Sequence, residues 1–125
     1  LECLSREAAS VTFVENYKEV LPILKKNIIA VKCVNKSKLI EKDIFNQFNF
    51  ENLISKFDLI FIDPPYKEKS LSKLLKEILK KDILNNGGII IIHRHKNEKD
   101  ELPKEFHTIE EKTYGISRII FGKPF

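Results

Sequence analysis

The tetrapeptide Asp63-Pro64-Pro65-Tyr66 gathers the residues of this chain best suited to chemistry. Each proline lacks a backbone N–H and holds the residue before it extended. The segment is therefore stiff and offers mainly acceptors, the Asp63 carboxylate and the Pro64 carbonyl. Two acceptors suit an exocyclic amine, whose lone pair is delocalised into its ring and must be freed before it can attack an electrophilic methyl group. Hydrogen bonds from both amino hydrogens would orient the nitrogen, favour its pyramidal form and stabilise the charge that develops as the methyl arrives. Tyr66 adds a flat face for a base, and such stacking is worth roughly 1–3 kcal/mol in nucleic-acid sites. Taken alone, the tetrapeptide reads equally as a rigid turn.

Position favours chemistry over the turn. The run Phe57-Asp58-Leu59-Ile60-Phe61-Ile62 precedes the motif and reads as a parallel strand covered on both faces. This puts Asp63 at the carboxyl edge of a sheet, where open α/β folds bind ligands. Leu71, Leu74, Leu75, Ile78 and Leu79 then mark an amphipathic helix, which Asn85-Asn86-Gly87-Gly88 is expected to stop before a second buried strand, Ile89 to Ile92. Upstream, residues 1–9 read as a helix and Val11 to Glu15 as a strand ending on a carboxylate. Residues 16–31 read as a second helix with a capping box on Asn16 and Glu19, although Pro22 must kink it or delay its start. A strand over 38–43 and an irregular segment over 44–55 follow. Two strand-like runs, 106–113 and 117–121, flank Tyr114-Gly115-Ile116 and predict an antiparallel hairpin. The fold class is α/β, a doubly wound sheet with an antiparallel edge.

The bulk numbers narrow the rest. A chain of 125 residues that is 42% hydrophobic can build one core, and residues 1–125 read as a single domain. With 22 Lys+Arg against 18 Asp+Glu, its net charge of +4 suits a polyanion only weakly. Cys3 and Cys33 have neither the number nor the spacing of a disulfide framework or zinc site. No run approaches the ~20 apolar residues of a membrane span, and a cytoplasmic protein without metal is expected. His93-Arg94-His95-Lys96 reads as a polar strand exit more readily than as an RNA-phosphate contact, with the two histidines expected to diverge and not to share a metal. The lysines at 67, 69, 73, 76, 80 and 81 fit either a phosphate-facing strip or a solvated helix face.

In these residues the chain resembles the class I (Rossmann-like) methyltransferases that modify amino groups, and within them the RsmD family, which methylates guanine N2 in bacterial 16S ribosomal RNA. The resemblance rests on residues 4–9, 11–15, Asp43, 57–66 and Lys112-Thr113-Tyr114-Gly115. It implies S-adenosylmethionine as cofactor and 16S rRNA, in the small ribosomal subunit or an assembly intermediate, as partner. Asp63, Pro64, Pro65 and Tyr66 then form the catalytic loop. Glu15 would accept from the ribose hydroxyls and Asp43 from the adenine amine, with Asn16, Ile44 and Asp63 also in the cofactor set. An acidic strand end is independently the usual ribose contact in nucleotide-binding sheets, whereas Asp43 reads equally as a helix N-cap. The family also uses a glycine-rich loop between its first strand and first helix. This chain opens inside that helix and is read as lacking that strand and loop. An adenine-N6 methyltransferase and a non-catalytic remnant are the alternative functions.

Overall fold

The computed structural model describes every residue except Gln47, Ile54, Tyr66 and Phe125, and of Asn52 only the backbone. The chain forms two compact units, Leu1–Phe48 and Asn49–Phe125. In the first, the β-branched and aromatic side chains of Val11–Val14 favour a pleated strand and form β1, which pairs in parallel with β2, Ser37–Ile40. A helix, α2, connects them over Leu21–Ala30. It starts late because of Pro22, which sits in the first turn, where a missing N–H removes no intrahelical bond. The capping box expected on Asn16 and Glu19 does not form. Val20 is the N-cap and no side chain caps the helix. The opening helix, α1, covers only Glu2–Ser5, and Glu7 follows it at φ +70°. The strand expected over 38–43 stops at Ile40, whose carbonyl accepts from the N–H of Lys42 as the chain turns.

The second unit contains β3 (Phe57–Ile62), α3 (Leu71–Lys80), β4 (Leu84–His95), β5 (Phe106–Tyr114) and β6 (Ser117–Pro124). Their sheet has the order β3-β4-β6-β5. The β3–β4 pair is parallel, and α3 supplies the long crossover that such a pair requires. The strands β4–β6 and β6–β5 pair antiparallel, so the predicted C-terminal hairpin is present. It closes through a two-residue turn between Tyr114 and Ser117, with Gly115 at φ +57° as primed hairpin turns demand.

Leu71, Leu74, Leu75 and Ile78 of α3, with Ile90 and Ile92 of β4 and Ile120 of β6, are buried and make the core of this unit. Each contributes roughly 1.5–3 kcal/mol by leaving water. Two expectations are corrected. The strand β3 is not covered on both faces: Leu59 is 42% and Phe61 58% exposed, while Ile62 is buried. The pair Gly87-Gly88 does not stop α3 but lies inside β4, where the β3–β4 register shifts. The helix stops earlier, at Lys81, followed by Asp82 in the left-handed region at φ +51°. Among the described residues, no helix is long and apolar enough to cross a membrane.

Candidate active site

Register places the loop that opens at Asp63. Ile62, the last residue of β3, pairs with Ile92 of β4, so the β3–β4 pairing ends with Asp63 and His93 as the next residues, His93 still pairing with Ile119 of β6. Asp63 is exposed, Pro64 buried and Pro65 exposed. The buried Pro64 ring anchors the turn while Asp63 faces outward. Oδ1 of Asp63 lies 3.1 Å from Nδ1 of His93, and Nε2 of His93 lies 2.9 Å from Oγ of Ser117 at the start of β6. Among the described residues, neither Oδ2 of Asp63 nor the Pro64 carbonyl has a hydrogen-bond partner. Tyr66 lies outside the described residues, and with it the expected stacking face.

Arg94 ties the loop down from the other side of β4. Residues two apart on a strand share a face, so Arg94 continues the row of Ile90 and Ile92 into the interior and is only 2% exposed. Its guanidinium makes a bidentate pair with Asp100, Nε to Oδ2 at 2.8 Å and Nη2 to Oδ1 at 3.0 Å. The remaining donors reach the loop backbone: Nη1 donates to the Pro65 carbonyl at 3.0 Å and Nη2 to the Glu68 carbonyl at 2.9 Å. The Pro65 carbonyl also accepts from the N–H of Glu68 at 3.0 Å, and the Glu68 carboxylate accepts from the N–H of Ser70, just ahead of α3. A planar fork of five donors is the side chain able to hold two carbonyls and a carboxylate at once. Sequence reasoning treated Arg94 as part of a polar strand exit and missed this role. The signal was its parity with Ile90 and Ile92.

The expectation that His93 and His95 diverge was wrong on strand geometry itself, since residues two apart point the same way. They differ in partners instead, because Nδ1 of His95 accepts from the N–H of Asn97. The six lysines at 67, 69, 73, 76, 80 and 81 are all exposed, and Lys69 approaches Glu98 at 3.5 Å.

The residues expected to hold the cofactor's adenosine end lie in the first unit. Glu15 follows β1 directly, its N–H donating to the Ile40 carbonyl, so it stands at the carboxyl end of the parallel pair. Its Oε1 accepts from the N–H groups of Asn16 at 3.1 Å and Tyr17 at 3.0 Å. These bonds orient the carboxylate and, among the described residues, leave Oε2 without a partner, which fits the expected ribose hydroxyl contact. Half-buried Asp43 lies past the end of β2, with half-buried Ile44 beside it. Oδ1 of Asp43 accepts from the N–H of Phe45 at 2.9 Å, a capping bond around a turn rather than a helix. Asp63 belongs to the other unit.

The family described as conserved hypothetical protein 95 matches residues 1–123, and the chain belongs to it. A methylase of Rickettsia prowazekii, described as uncharacterized, is 40% identical over 72 residues, 57% of this chain and 30% of that protein. Ribosomal RNA small subunit methyltransferase D of Haemophilus influenzae is 29% identical over 120 residues, 92% of this chain and 60% of that protein. The chain thus spans between 30% and 60% of the length of these two relatives. Among solved structures, one from Haemophilus influenzae assigned as a methylase superposes with a TM-score of 0.78 at 26% identity. The match covers 99% of this chain and 78% of that one. The fold is that of the class I methyltransferases.

Proposed function

With family membership as premise, we propose that this chain carries the amine-binding loop of an S-adenosylmethionine-dependent methyltransferase acting on the exocyclic N2 amine of a guanine in 16S ribosomal RNA. The substrate would be met in the small subunit or its assembly intermediate. One observation carries the reading. Around the loop, Oδ1 of Asp63 and the carbonyls of Pro65 and Glu68 are already paired, whereas Oδ2 of Asp63 and the Pro64 carbonyl are open among the described residues. Two open acceptors next to each other in a stiff, anchored turn match the two hydrogens of an amino group.

When bound, the cofactor supplies an electrophilic methyl group. Glu15 would accept from its ribose and Asp43 from its adenine, with Asn16 and Ile44 alongside. Asp63 and Pro64 would draw the two amine hydrogens toward them, freeing the nitrogen lone pair and stabilising the cationic nitrogen that forms. Pro65 stiffens the turn, Tyr66 would stack on the base, and the exposed lysines would meet backbone phosphates.

The test is Asp63→Ala in a tritiated-methyl transfer assay on undermethylated small ribosomal subunits. Turnover is expected to fall on the order of 10²–10³-fold, as on loss of one transition-state hydrogen-bond partner, with cofactor affinity nearly unchanged. Near-normal turnover would sink the assignment. Tyr66→Phe should keep activity and Tyr66→Ala lose it, as stacking requires. Recovery of methylated adenosine instead of N2-methylguanosine would transfer the same loop chemistry to an adenine-N6 substrate.

A further inference from the structure

We propose that His93, held in turn by Ser117, is a positioning residue that fixes the Asp63 carboxylate for the amine, an inference that rests on the amine-binding role of Asp63. A carboxylate is an acceptor only, so the 3.1 Å contact requires the proton of His93 on Nδ1. In the neutral ring Nε2 is then an acceptor, and the Ser117 hydroxyl 2.9 Å away donates to it. Ser117 thereby selects the tautomer that Asp63 needs, and Asp63 loses its freedom to rotate about its side-chain bonds.

The same three residue types make a nucleophilic triad in hydrolases, where a buried carboxylate orients the ring toward a hydroxyl at the reacting end. Exposure reverses that order in this chain. The Asp63 side chain is 56% exposed and that of His93 34%, while Ser117 is half-buried at the start of β6, an inner strand of the sheet. The open end of the row is the carboxylate, so the hydroxyl does the orienting. A proton exit through the ring is also disfavoured, because Nδ1 already carries its proton toward Asp63 and cannot take another from it. Orientation is the role left to His93.

Two substitutions separate this role from simple packing. In His93→Asn the amide nitrogen falls near the position of Nδ1 and still donates to Asp63. In His93→Gln the amide falls near Nε2, keeping the Ser117 contact and losing Asp63. With both variants folded to the same melting temperature, His93→Asn is expected to retain most of the turnover rate. His93→Gln should lose it on the order of 10²-fold, the effect of a small misplacement, with KM for cofactor and RNA unchanged. Equal losses in the two variants would mean a merely structural histidine and overturn the proposal. Asp63→Ala separates the levels: an inactive Asp63→Ala beside a fully active His93→Gln overturns the positioning role alone, whereas an active Asp63→Ala overturns both. Nitrogen NMR of the wild-type ring needs no turnover. It should report the Nδ1–H tautomer, and this preference should disappear in Asp63→Ala. A wild-type ring protonated on Nε2 alone would refute the inference.

Discussion

A guanidinium 2% exposed, as in Arg94, is stable only because each direction of its fork meets an acceptor. Removing one member of such a pair strands the other in the interior. Arg94→Met should therefore lower unfolding free energy by about 3–5 kcal/mol, through an Asp100 carboxylate that keeps Arg118 at 3.9 Å but loses its bidentate partner. Adding Asp100→Leu should recover much of that loss, since a well-packed apolar pair often matches a buried ion pair. The carbonyls of Pro65 and Glu68 would still lack the Arg94 donors that tie them to β4, so urea melts should report rescue while methyl transfer stays impaired. Equal recovery of stability and activity would mean that Arg94 does not hold the loop. At this scale Asp63 was legible because two prolines and the preceding apolar run fix where it stands. Arg94 was legible in principle, from its parity with Ile90 and Ile92. The contact of His93 with Asp63 was not, because it depends on how β3 and β4 align, which no local pattern encodes.

Among the elements, α3 and the C-terminal hairpin were readable from period and turn chemistry, since Leu71, Leu74, Leu75 and Ile78 recur on one face and Gly115 marks the reversal. The ends of α2 and β2 were not, because the N–H of Asn16 donates to the Glu15 carboxylate and the Asp43 carboxylate accepts from the N–H of Phe45, neither starting a helix. The Gly87-Gly88 pair misled for a related reason: a glycine pair marks both helix ends and strand irregularities, and only pairing with β3 decides between them. A further glycine carries a packing requirement. In β6, a Cβ on Gly122 would collide with the buried ring of Phe106 on β5. Gly122→Ala is expected to destabilise the second unit by roughly 1–3 kcal/mol, the usual cost of overpacking. Phe106→Leu in the same chain should return part of that loss, measurable as a double-mutant cycle in thermal melts. Purely additive effects would contradict the collision.

Across the whole molecule the two units differ in how much they bury. Among the described residues, Leu4 and Ile28 are the buried apolar side chains of Leu1–Phe48, whereas Asn49–Phe125 buries the α3 face, Ile90, Ile92, Phe106 and Ile120. Two-stranded sheets are marginal without further cover, so native-state amide exchange should open β1 and β2 at lower free energy than β4 and β6. Equally slow exchange in Val11–Val14 and Ile90–Ile92 would refute this. The mixed α/β class with its antiparallel C-terminal pair was legible from alternating strands and helices, but the division into two units was not, since it depends on which contacts form and not on any linker in the sequence. The pairing of Ile62 with Ile92 has a consequence for how the protein guards against error. Adjacent residues of one strand serve the loop from opposite faces, His93 taking the carboxylate and Arg94 the backbone. A slip of one residue would turn the charged fork out to solvent and the isoleucines with it. A misaligned sheet thus forfeits its core and its loop in the same step, so that folding acts as the proofreader of the site.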